Sequence, residues 1–309
     1  MADTSHSHVP ERLSFYRHPW FLVLVSGLVL WVICAAVTAV TRDNILVPSV
    51  ILIGSFVAPV AVVTFALGRL EGGHLSAPTI FAAFILSGTL GVVASALLET
   101  YLLPSATGTF IMVGLIEELC KAAIVVVVGT AVVHRTGRDG LVLGAIVGAG
   151  FAAFESSGYA FATLLKHVGD HPIGDVMSTE MTRAVFSPFA HITWTALFGG
   201  ALFASVRNGR FHLLSRTVLL TLLGTITLHA VWDQSTGWAI MVTKGIVEST
   251  WVLEWPNTEH WVGLPTDQML LVWSIVYDGL LIINSAIGVS WIINRWRRYP
   301  SPLPLAIPD

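Results

Sequence analysis

The sequence predicts an all-α, polytopic membrane protein. Three observations predict it: an apolar composition, apolar blocks of membrane-crossing length, and the lack of any strand-like alternation. Of the 309 residues, 54% are hydrophobic and 11% charged, whereas a soluble domain carries about 25% charged residues. That balance excludes a soluble globular enzyme, and with it the disordered and fibrous classes. Blocks of about 20 apolar residues match a hydrocarbon core roughly 30 Å thick. Since lipid tolerates only helices or closed barrels, and no alternating ten-residue segments occur, the blocks are expected to be helices. The formal net charge is -3, and no basic block exists beyond Arg295, Arg297 and Arg298, so nucleic-acid binding has no electrostatic footing.

Eight spans are expected in order: 20 to 40, 45 to 67, 79 to 98, 109 to 133, 140 to 165, 186 to 206, 213 to 235 and 270 to 293. The first block is longer than the apolar core of a cleavable signal peptide and is therefore read as a retained span behind a polar tail, residues 1 to 19. Cys34 and Cys120 both lie inside apolar blocks, which argues against a disulfide framework. With the N terminus in the cytoplasm, Arg12, Arg17, Arg69, Arg135, Arg138, Arg207, Arg210, Arg216, Arg295, Arg297 and Arg298 fall inside. Arg42, Lys166, Arg183 and Lys244 fall outside. The positive-inside rule thus places both termini in the cytoplasm, in a plasma membrane.

Two exterior segments are long. Residues 166 to 185 carry His167, Asp170, His171, Asp175 and Glu180, and residues 236 to 269 carry Trp238, Trp251, Trp255 and Trp261. Tryptophan favours the headgroup level, so the second is expected to form an interfacial or re-entrant cap. The whole chain, 1 to 309, is treated as one domain, with a Pro-rich cytoplasmic tail from 296 to 309.

An ionisable group inside a bilayer is costly and is a functional candidate by default. Span four carries Glu117, Glu118 and Lys121, span five Glu155 and Tyr159, span six His191, and span seven His229 and Asp233. At about 1.5 Å of rise per residue, Glu117, Glu155, His191 and His229 all lie roughly 7 to 15 Å from the exterior ends of their spans. Four helices therefore aim polar groups at one layer in the outer half. Glu117 with Lys121, Glu155 with Tyr159, and His229 with Asp233 stand at i and i+4, each pair on one helix face. An Asp one turn from a His can fix its tautomer and leave the other nitrogen for a metal or substrate. Carboxylates beside histidines in a desolvated site suit general-base activation of water, and two histidines with a carboxylate also match zinc's preferred ligands. Asp278 and Asn284 in span eight are expected to be buried without an assignable partner. Gly144, Gly148 and Gly150 read as close helix packing.

These residues fall into four motifs. Glu117-Glu118-Leu119-Cys120-Lys121 fits E-E-x-x-K, and Gly150 to Glu155, followed by Tyr159, fits G-F-A-x-x-E with a tyrosine. Arg183, Pro188 and His191 fit R-x-x-x-x-P-x-x-H, and Leu228 to Asp233 fits L-H-x-x-x-D. Four motifs in this order, over residues 114 to 233, resemble the PrsW family of intramembrane proteases. The resemblance implies cleavage of a single-span membrane protein near the outer face, its best-known case being an anti-sigma factor in stress signalling. It also implies kinship with prenyl-protein endopeptidases and bacteriocin-immunity proteins. Catalytic residues on this reading are Glu117, Glu118, Glu155, His191 and His229, with Lys121, Asp233, Arg183 and Tyr159 in support. Glu117 or Glu118 would be the general base. His191 and His229 would be metal ligands or oxyanion donors and Glu155 the third ligand or an orienting acid, with Asp233 behind them; the metal would be a divalent ion, zinc, and the wider clan has been described both as metal-dependent and as metal-independent. One departure is Ser156, where the family often has Asn. Arg183 at the mouth is read either as a holder of a substrate carbonyl or acidic group, or as a snorkelling side chain. The competing classes are a proton-coupled transporter and a non-catalytic membrane chaperone or immunity protein. No inverted repeat of broken helices supports the transporter.

Overall fold

The computed structural model describes residues 17–70, 75–103, 109–133, 135–166, 173–247 and 266–300. Arg12, His167, Asp170, His171, Trp251, Trp255, Trp261 and the outer parts of both tails lie outside the described residues.

Every regular element among the described residues is a helix. In chain order they are α1 (Pro19–Thr41), α2 (Val47–Leu67), α3 (Ala77–Leu86), α4 (Val92–Leu102), α5 (Thr109–Gly129), α6 (Gly137–Lys166), α7 (Ile173–Phe186), α8 (His191–Ala204), α9 (Arg216–Val247) and α10 (Asp267–Arg298). A π-helical turn at Ser87–Gly91 joins α3 to α4, so residues 77 to 102 run as one rod. Each of the eight expected spans overlaps a helix. Five are long and apolar enough to cross a membrane: Pro19–Thr41, Asn44–Leu67, Ala77–Leu102, Gly137–Lys166 and Asp267–Arg298.

Local chemistry sets the helix ends. Pro19 opens α1 behind His18, and Arg42 closes it in the left-handed conformation at φ 57°. Ser76 caps α3 by accepting the Thr79 N–H, and Thr266 caps α10 by accepting that of Met269, each satisfying a donor the first turn leaves free.

The core is built around α6, whose window of most apolar residues is 83% buried. Its most extensive partner is α8, and small residues bring the two backbones together. A β-carbon at Gly144 would lie 2.2 Å from the Thr195 carbonyl oxygen, and one at Gly148 would lie 2.4 Å from that of His191. Gly150 meets α3 in the same way, 2.1 Å from the Phe84 carbonyl oxygen. All three glycines do the close packing read from their place within a span. α1, by contrast, turns Leu22, Val29 and Ile33 outward, as a lipid-facing helix does.

Three features depart from the sequence reading. Residues 173 to 186, expected within an exterior segment, form α7, an amphipathic helix packed on α1, α2 and α6. Its Glu180 is 1% exposed. The Trp31 indole donates to Glu180 Oε2 at 2.7 Å and Ser55 to Oε1 at 3.4 Å, while Gly54 leaves room for the carboxyl group. Second, residues 236 to 247, expected in a Trp-rich cap, continue α9 without a break. The helix persists because Ser235, Ala239, Ile240 and Thr243 keep a buried stripe at helical spacing. Third, Asp278 is exposed rather than buried, whereas Asn284 is 2% exposed and donates to the Leu228 carbonyl at 2.8 Å.

Candidate active site

The break between α7 and α8 is written into the third motif. Arg183 lies in the last turn of α7, Pro188 sits in the 3-10 turn Ser187–Phe189, and His191 is the first residue of α8. Proline lacks the N–H that would continue α7. Ala190, at φ -100° and ψ -101°, redirects the chain so that His191 enters the core at a helix start. Thr195 then donates to the His191 carbonyl at 2.8 Å, and α6 packs against that same carbonyl at Gly148.

Around His191 the structure gathers the polar residues of α5, α6 and α9. Glu117, Glu118 and Lys121 are 6%, 2% and 0% exposed, and His191 and His229 are 5% and 1% exposed. Lys121 Nζ is 2.6 Å from Glu118 Oε1, 3.3 Å from Glu117 Oε2 and 3.0 Å from His191 Nδ1, and it lies 4.5 Å from the centre of the Phe151 ring. An ammonium only donates, so His191 Nδ1 is the acceptor. The Nε2–H of the neutral ring then points at Glu155 Oε2, 3.1 Å away.

The second histidine is oriented from the opposite direction to the one expected. His229 Nδ1 lies 3.0 Å from Glu118 Oε1. A carboxylate only accepts, so this nitrogen carries the proton. Nε2 is left facing Glu117 Oε2 at 3.6 Å and Asp233 Oδ2 at 3.5 Å. The tautomer is thus set by Glu118, not by Asp233, because Glu118 reaches across from α5 to the ring nitrogen on the far side from Asp233. The Trp194 ring packs against that of His229, their centres 4.7 Å apart.

Glu155 is held from α7. Arg183 Nη2 pairs with Glu155 Oε2, its Nε donates to Ser156 Oγ at 2.8 Å, and its guanidinium lies 4.3 Å from the centre of the Tyr159 ring. The arginine expected at the mouth thus meets Glu155, Ser156 and Tyr159. Ser156, the departure from the motif, supplies a hydroxyl acceptor that fixes this arginine.

A cavity of about 520 Å³ opens beside the cluster, lined in part by Glu117, Glu155, Tyr159 and Asp233. Glu118 does not line it. The two adjacent glutamates are therefore divided: Glu117 faces the cavity, while Glu118 ties Lys121 to His229 beneath it. The sequence reading missed one lining carboxylate, Glu99 on α4. The signal was a lone carboxylate near the end of an apolar run, with no partner at i+4 to mark it.

For a metal, the ligand atoms of Glu117, His191 and His229 all lie within 4.8 Å of one another. This group has Glu117 where the sequence expectation has Glu155, whose carboxylate meets Arg183 and His191 Nε2. Two imidazoles and a carboxylate fit a divalent ion such as zinc. Asp233 Oδ2, buried and without a hydrogen-bond partner, lies beside the free His229 nitrogen, where a metal-bound water would satisfy it.

Neither a curated protein nor a solved structure matches the chain. The sequence model of the PrsW family intramembrane metalloproteases, however, matches residues 59–255. That span exceeds half the chain, includes all four motifs, and reaches back through α4 and α3 into α2. The chain belongs to the PrsW family of intramembrane metalloproteases and is an intramembrane peptidase.

Proposed function

We propose that the enzyme hydrolyses one peptide bond of a single-span membrane protein, with Glu117 as the general base. The observation that carries this is the division of the glutamate pair: the Glu117 carboxylate lies at the cavity wall, 3.6 Å from His229 Nε2, while Glu118 is committed to Lys121 and His229 Nδ1. A water beside Glu117 gives its proton to that carboxylate as its oxygen attacks the scissile carbonyl carbon. The carbon–nitrogen bond then breaks, and Glu117 returns the proton to the leaving amine, so the carboxylate is regenerated. Lys121 holds the buried carboxylates in place throughout. His191, fixed between Lys121 and Glu155, keeps one orientation across the cycle. A divalent ion would be held by His229, by one oxygen of Glu117 with the other left to take the proton, and by His191 on release of its Lys121 contact; when bound it would supply Lewis-acid polarisation of water or carbonyl.

The distribution of arginines supports both termini in the cytoplasm of a plasma membrane, with the cavity in the outer half of the bilayer and eight spans in all. On this reading the first cut falls near the exterior face, and a single-span anti-sigma factor is the first substrate class to test.

The test compares newly formed protein N termini in host cells carrying the wild type or Glu117→Gln. A terminus just outside one membrane segment, present only with the wild type, supports the proposal. Matching profiles, with a phenotype still caused by deletion of the protein, would sink it. The metal assignment has its own readout. Purified wild-type protein should retain about one equivalent of zinc after desalting, and His229→Ala should lose it, measured by elemental analysis. Retention of metal by His229→Ala would remove His229 from the ligand set.

A further inference from the structure

Four carboxylates line the cavity: Glu99, Glu117, Glu155 and Asp233. Three of them have basic neighbours. Glu117 faces Lys121 and His229, Glu155 pairs with Arg183 and His191, and Asp233 stands 3.5 Å from His229 Nε2. Glu99 makes no ion pair among the described residues, Lys121 and His229 acting on it only from a distance, and its Oε1 is buried without a hydrogen-bond partner. Four residues earlier, on the same face of α4, Ser95 is 3% exposed, and its Oγ is equally unpartnered. Both residues line the same cavity, and no lysine or arginine does.

Leaving a buried acceptor unsatisfied is costly, and more so for a charged one. A carboxylate and a hydroxyl one turn apart, in an acidic cavity with no cation of its own, are matched by a donor that is cationic and arrives with the ligand. The lining also includes Phe110, Trp232 and Tyr277, apolar walls suited to the methylene stem of a long basic side chain. Glu99 lies three residues from Leu102, the end of α4, whereas Glu117 lies eight residues into α5 from Thr109. The Glu99 carboxylate therefore belongs nearer the mouth than the catalytic base.

We infer that Ser95 and Glu99 form a specificity subsite for a substrate lysine or arginine on the mouth side of the scissile bond. This rests on the protease reading above. A basic residue there is an uncommon feature, because the exterior flanks of membrane segments are poor in Lys and Arg. The subsite would thus separate a few substrates from the many single-span proteins that share the bilayer.

The probe is a library of single-span reporters in which the six residues outside the membrane segment are randomised, co-expressed with the full-length enzyme and read by sequencing the cleaved fraction. The wild type should enrich Lys or Arg about tenfold or more at one fixed position relative to the cut, as expected for a charge-assisted hydrogen bond. Glu99→Gln should cut with that enrichment lost, and Glu99→Lys should shift it to Asp or Glu. Melting of each purified variant confirms that it folds. Cleavage by the wild type with no basic preference, or the same preference in Glu99→Gln, overturns the subsite and leaves the protease reading standing. Failure of the wild type to cut any reporter overturns both.

Discussion

Glu117→Gln should slow cleavage of a membrane-anchored reporter by about 10² to 10⁴-fold, the usual contribution of a positioned general base. The protein should still accumulate and melt as the wild type does. The substitution keeps the shape of the side chain and removes its negative charge, and with it the ability to take a proton. Lys121 keeps its 2.6 Å contact with Glu118, so the cluster retains its main ion pair. Glu118→Gln is the informative contrast. Its Oε1 holds both Lys121 Nζ and His229 Nδ1, so an amide there disturbs the histidine and the fold together. A rate measured per folded molecule, alongside thermal unfolding in detergent, separates the two. If Glu118→Gln were the variant that lost turnover with full stability, and Glu117→Gln kept it, the division of roles between the pair would be wrong.

The largest loss of stability is expected at Lys121. Its ammonium is fully buried and lies against Glu117, Glu118 and His191. Removing one member of such a cluster strands the other charges in a low-dielectric interior, which costs about 3 to 5 kcal/mol. Lys121→Met should therefore melt well below the wild type and accumulate poorly. Combining it with Glu118→Gln should recover part of the loss, because the stranded charge is removed with its partner. Strict additivity of the two substitutions would show that the 2.6 Å pair contributes no coupling. Fluorescence-detected gel filtration after a temperature series reads all three variants.

Much of this site was legible because its chemistry is expensive in lipid. Glu117, Glu155, His191, His229 and Asp233 stand out in apolar runs, and their i, i+4 spacing places them on helix faces before any coordinates are known. Spacing along one helix says nothing about a partner arriving from another. Asp233 is the partner that His229's own helix offers, whereas Glu118 reaches the ring from α5, and Arg183 crosses from α7 to Glu155 and Ser156 on α6. Glu99 and Ser95 carry no local pattern; what marks them is the lack of a partner, which only the packed structure displays. Apolar runs also mislead at helix ends. α9 continues to Val247 through residues apolar enough to read as a re-entrant cap, and α7 buries Glu180 on a helix whose other face is exposed.

The seam between α6 and α8 is the rigid base on which the site stands. Gly144 and Gly148 abut backbone carbonyls of Thr195 and His191 so closely that neither helix can slide or roll without collision. Glu155 lies two turns beyond Gly148 on α6, and His191 opens α8, so the 3.1 Å contact between them is anchored by that seam. Glu117 and Glu99 sit across the cavity on α5 and α4, helices with less extensive mutual packing. At the seam, Gly148→Ala would therefore displace His191 from Glu155 without touching either side chain.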